Sequence, residues 1–106
     1  MGGEITDLGR FTDVGLLVLL SLANGAPKHG YAMIEDIQAF SGTLLEPGTL
    51  YGALMRLEKQ GWIMPQPTEE RRRPYVITDS GRAALNAGLA TLRRIVATGA
   101  TRGALA

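Results

Sequence analysis

The 106-residue sequence contains no cysteine and one histidine, His29. Without thiols there is no disulfide staple and no thiolate metal centre, which favours an intracellular setting. A lone imidazole cannot build a multi-histidine metal site or a metalloprotease motif. Long apolar runs are missing too. The longest, Val14 to Leu22 with Gly15 and Ser21 inside it, falls short of the ~20 residues that span a bilayer, and no basic segment precedes it. Neither membrane anchor nor signal peptide is expected. Charge of one sign is scarce: the net charge is +1, so the chain as a whole does not announce a polyanion partner. No motif links Ser21, Ser41 or Ser80 to His29 or to a carboxylate, and Gly48-Thr49-Leu50-Tyr51-Gly52 lacks the lysine and the spacing of a phosphate-binding loop. Enzymatic activity, a metal and a cofactor are therefore not expected.

Apolar residues make up 45% of the chain and charged residues 20%, the balance of a chain that folds around one modest core. Basic charge is unevenly spread. Residues 1–45 hold two basic and five acidic side chains, residues 46–82 six and five, and residues 83–106 three and none.

Met1 to Phe11, with three glycines and no periodicity, reads as a loose arm. Thr12 or Asp13 can cap a first helix whose Leu16, Leu17, Val18, Leu19, Leu20 and Leu22 are apolar on every side. Such a helix needs cover on two faces, from its own core and from a second subunit. Asn24-Gly25 and Pro27 stop it. A second helix starts near Gly30, with Tyr31, Ile34 and Ile37 on its inner face, Met33 and Phe40 bordering it, and Ser41-Gly42 at its end. Pro47 suits the first turn of a third, in which Leu50, Leu54 and Leu57 share one side until Gly61. Trp62 to Met64 and Pro74 to Thr78 read as two strands of a hairpin joined by a polar connection. Thr78 can cap a last helix carrying Leu85, Leu89, Leu92 and Val96 at spacings of four, three and four. The stripe spans too few heptads to pair alone, and the first helix is the natural supplier of further apolar surface.

Helix, helix, helix, hairpin, helix is the order of a winged helix-turn-helix followed by a dimerisation helix: a mainly α fold with a small β-hairpin (α+β). Residues 1–11 form the arm, 12–78 the winged domain, 79–98 the dimerisation helix and 99–106 a flexible tail. Four stretches make the resemblance specific: His29-Gly30-Tyr31, Pro47 through Glu58, Gly61-Trp62-Ile63, and Tyr75 through Arg82. Together they resemble the PadR family of bacterial transcriptional regulators, over about Val14 to Val96. The resemblance implies a cytoplasmic homodimer that represses promoters from palindromic double-stranded DNA operators, with a small-molecule effector in some members.

In a helix-turn-helix the N-terminal part of the second helix of the motif enters the major groove, which directs Gly48, Thr49, Tyr51, Gly52 and Arg56 towards DNA. Tyr51 could instead flank the core, and Arg56 could lie on a solvated face. Arg71, Arg72 and Arg73 fall at the hairpin tip or its return strand, where a wing can lay guanidinium groups on the backbone or in a narrow minor groove; pairing with Glu69 and Glu70 is the alternative. The resemblance brings Lys28, His29 and Tyr31 to phosphate, whereas His29 and Tyr31 could merely hold the turn. Leu16, Leu19, Leu20, Leu85, Leu89, Leu92 and Val96 are the expected dimerisation residues. Low net charge keeps a second function open, a winged helix used for protein–protein interaction. The last helix has no aromatic residue on which a flat effector could stack.

Overall fold

A computed structural model describes residues 11–69 and 71–103. The expected arm therefore lies, apart from Phe11, outside the described residues, as do Glu70 and the last three residues of the expected tail. Four helices and three short strands follow one another: α1 (Val14–Ser21), β1 (Lys28–His29), α2 (Gly30–Ser41), α3 (Pro47–Gln60), β2 (Ile63–Pro65), β3 (Pro74–Ile77) and α4 (Asp79–Thr101). The strands make one antiparallel sheet in the order β1-β3-β2. This is the winged-helix α+β architecture.

Local signals set the element ends. Asp13, not Thr12, caps α1: its Oδ1 accepts from the Leu16 N–H at 3.0 Å. Gly25, Gly42 and Gly61 follow three of the helices in the left-handed region, with φ between 74° and 86°, where any other residue is strained. Thr78 caps α4, accepting from the Gly81 N–H at 3.0 Å.

The core lies where α1 meets α2, α3 and α4. Val18, Leu22, Met33, Ile37, Leu50, Leu54 and Ile63 are its most deeply buried large side chains. Several expectations need correction here. Most of the apolar girth of α1 is covered within its own subunit, since Leu16, Leu17, Val18 and Leu19 are all buried, while Leu20 is half-buried. On α2 the inner face is Gly30, Met33 and Ile37, while Tyr31 and Phe40 are 59% and 48% exposed; the helix is turned so that Met33, not Tyr31, enters the core. In place of a two-stranded hairpin, β1 adds a third strand, pairing Lys28 with Tyr75 and His29 with Pro74. Finally, α4 continues to Thr101, past the expected end at residue 98.

Candidate nucleic-acid interface

On α3, Leu50, Ala53, Leu54 and Leu57 point inward. At 100° per residue the opposite ridge is Gly48, Gly52, Met55 and Lys59, with Tyr51 on one shoulder and Thr49 and Arg56 on the other. The ridge is open. A Cβ on Gly48 would meet nothing within 4 Å, and one on Gly52 would meet only the Arg56 Nη1 at 3.5 Å. Nothing in the subunit requires these glycines, so the backbone of the first two turns is free to approach an external surface closely. Thr49 is exposed and Tyr51 is 52% exposed. Met55, at 74% the most exposed large apolar side chain of the described residues, and Lys59 complete a ridge that the motif stretches do not single out; helical angle measured from the leucine face finds both.

The Tyr51 shoulder borders a cleft of about 350 Å³ lined by His29, Gly30, Tyr31, Tyr51, Arg71, Arg72, Arg73 and Tyr75. Three chain segments converge there. The start of α2 supplies His29, whose Nδ1 accepts from the Ala32 N–H at 3.3 Å; in the neutral ring the proton is then on Nε2, which can donate outward. Holding the turn and facing a ligand are thus compatible. Tyr51 comes from α3 and packs over Gly30, where a Cβ would stand 3.0 Å from its hydroxyl. The segment entering β3 brings the arginines, and the Arg72 guanidinium carbon sits 5.9 Å from the centre of the Tyr31 ring, a cation–π contact at the edge of useful range. Tyr75 lies deeper: burial, with the nearby Glu58 carboxylate second, pushes its phenol pKa above the ordinary value against the opposing pull of Arg73. It stays a neutral donor.

All three arginines are exposed, and no ion pair joins Glu69 to them among the described residues. Glu70 lies outside those residues. Adjacent guanidinium groups facing solvent beside phenolic and imidazole donors form an anion-attracting surface, continuous with the open ridge of α3.

Other expected site residues sit elsewhere. Arg56 is exposed on the far shoulder of α3, beside a depression bordered by Thr12, Asp13 and Trp62. The Lys28 ammonium does not face the cleft. It donates to the Ser21 carbonyl at 2.7 Å, to Ser21 Oγ at 3.3 Å and to Asp36 Oδ2 at 3.0 Å, so all three of its hydrogens have partners inside the subunit. Of the expected dimerisation residues, Leu16, Leu19 and Leu85 are buried in one subunit, Leu20, Leu89 and Leu92 pack half-buried against the core, and Val96 is 57% exposed. Ile95, which the heptad spacing did not include, is 60% exposed beside it.

An open helix ridge beside a cationic wing defines the class: a winged-helix domain whose two site elements share one face. Comparison with known proteins makes this specific. Residues 18–87, more than half of the chain, match the profile of the transcriptional regulator PadR-like family. The chain belongs to the PadR-like family of transcriptional regulators.

Among solved structures, a PadR family regulator from Eggerthella lenta is 28% identical, with a TM-score of 0.70 and coverage of 95% of this chain and 88% of that one. A transcriptional regulator from Clostridium thermocellum is 25% identical, with a TM-score of 0.72 and coverage of 88% and 90%. A PadR family regulator from Clostridium difficile shares the fold at a TM-score of 0.76 and 23% identity, covering 85% of this chain and 97% of its own. A curated relative, an uncharacterized 37.1 kDa protein in a Streptomyces fradiae transposon, is 42% identical over 86 residues. That match covers 81% of this chain but only 25% of the relative, so the chain spans about a quarter of its length. No helix of the described residues is long and apolar enough to cross a membrane.

Proposed function

We propose that this chain is a homodimeric repressor that binds a palindromic double-stranded DNA operator. One observation carries the reading: the bare Gly48–Gly52 edge of α3 and the exposed arginines before β3 lie on the same face, with the Tyr51 cleft between them. The first two turns of α3 enter a major groove, Thr49 and Arg56 reach base edges or phosphate, and the wing arginines take the adjacent backbone. Two such helices related by a dyad read half-sites about one helical turn apart.

Support for the dimer comes from α4. Its last turns project from the core with Ile95 and Val96 in water, continuing the half-buried Leu89 and Leu92. Leaving such side chains uncovered forfeits about 1.5 to 3 kcal/mol each, which a second α4 recovers. An effector site fits the depression between α1 and α4 lined by Leu16, Leu19, Trp62, Ala84 and Gly88. Trp62 supplies there the aromatic face that α4 lacks. At about 180 Å³ it is below the ~300 Å³ of ordinary ligand pockets, so the partner helix must complete it.

The test is selection from a random duplex pool, followed by titration of the recovered sequence at two salt concentrations. A palindrome bound far more tightly than random DNA, with affinity falling steeply in salt, is the expected result. Equal affinity for all duplexes overturns operator recognition. Absence of DNA binding gives the same face to a partner protein.

A further inference from the structure

Lys28 stands next to His29 at the start of the recognition surface, and as a lysine there it invites a phosphate. Its surroundings say otherwise. The ammonium side chain is only 19% exposed and ion-pairs with Asp36 of α2 at 3.0 Å. It also donates to the Ser21 carbonyl at 2.7 Å, one of the orphan acceptors at the end of α1, where the helix dipole welcomes a cation. Ser21, itself buried, donates its hydroxyl to the same Asp36 oxygen at 2.7 Å. The three side chains close a ring joining α1, β1 and α2.

The strand held by this ring is two residues long. β1 carries His29 and pairs with Tyr75 and Pro74 of β3, the strand that the three arginines lead into. So short a strand has almost no ladder of its own to fix it. We infer that Lys28 is a positioning residue of the DNA-binding surface, clamping β1, and through it His29 and the return strand of the wing, to the ends of α1 and α2 without touching a phosphate. The inference rests on the DNA-binding reading for its consequence, but not for the clamp itself.

The experiment compares Lys28→Met, Lys28→Arg and Asp36→Asn in the full chain. If Lys28 positions, Lys28→Met weakens operator binding about tenfold, the scale of one charge-assisted hydrogen bond removed. The slope of log affinity against log salt stays that of the unaltered protein. Asp36→Asn weakens binding as well, although it removes a negative charge, and Lys28→Arg restores much of the loss. If Lys28 instead neutralises a phosphate, Lys28→Met lowers the slope by about 0.9 for that phosphate in each subunit, and Asp36→Asn strengthens binding; either result overturns the inference. Amide hydrogen exchange of the free protein separates this from the functional reading. Faster exchange at β1 and β3 in Lys28→Met and Asp36→Asn supports the clamp even if no operator is found. Exchange unchanged from that of the unaltered protein refutes the clamp whatever DNA does.

Discussion

The carbonyl oxygen of Trp62 occupies the space that a side chain on Gly81 would fill. The same oxygen accepts from the Thr78 N–H at 3.0 Å, and the Thr78 hydroxyl donates to the Gly61 carbonyl at 2.6 Å. End of α3, start of the wing and start of α4 are thereby locked at one point, with no room for a methyl group. The neighbouring atom is backbone and cannot swing aside. Gly81→Ala should therefore destabilise the fold by about 3 kcal/mol or more, lowering Tm by roughly 12 to 24 °C for a domain of this size. Thermal unfolding followed by circular dichroism reads this directly. Gly88→Ala, whose Cβ would meet only the flexible Leu16 Cδ1 at 3.0 Å, should cost far less.

A Cβ on Gly30 would stand 3.0 Å from the Tyr51 hydroxyl and 3.2 Å from Cδ2 of the buried Leu50, so the obstacles are side chains, of which the half-exposed Tyr51 is the one free to move. Gly30→Ala should push the Tyr51 ring out of the cleft at a modest stability cost of about 1 kcal/mol, while operator binding weakens more than stability does. Fluorescence anisotropy with labelled duplex, set against the unfolding midpoint, separates the two effects. Operator binding equal to that of the unaltered protein would remove Tyr51 from the interface.

Replacing Arg71, Arg72 and Arg73 together by alanine should lower both affinity and its salt dependence, by about 0.9 in slope for each phosphate that is no longer neutralised. Titration at several salt concentrations decides the matter. Retention of affinity and slope would mean that the wing arginines are neutralised within the loop.

Ile95 and Val96 allow association to be tested apart from folding. Leu89 and Leu92 pack on the core of their own subunit, so a charge there harms folding as well as pairing. Charged replacements at Ile95 and Val96 should leave the subunit folded but shift sedimentation from dimer to monomer. An unchanged dimer would move the interface off the end of α4.

The Asp36 carboxyl is held below the ordinary aspartate range by the Ser21 hydroxyl first and by the Lys28 ammonium second. A depressed carboxylate pKa adds stability that is fully present above about pH 3.9, the unfolded value, and that is lost as pH falls through the lower folded value. Asp36→Asn should be less stable than the unaltered protein at neutral pH, and the two stability curves should converge in acid. Urea unfolding between neutral and acid pH is the check; parallel curves would show that ionisation of Asp36 adds no stability.

What the residues determined alone was everything that acts within a few positions of itself. Asp13 and Thr78 cap the turns that follow them, Gly42 and Gly61 end α2 and α3 because glycine enters the left-handed region freely, and the leucines of α3 declare a face by spacing. Those signals, with four motif stretches, were enough for the winged-helix order and the family. Tertiary structure decided what depends on distant partners. β1 exists only because β3 is beside it, and Lys28 turned inward because Ser21 and Asp36 from two helices offered acceptors that no local pattern advertises. The cover over α1 came from three later helices, and the rotation of α2 put Met33 in the core and left Tyr31 exposed. Periodicity says which side chains are apolar, but packing density, reached only when all elements meet, chooses which of them are buried.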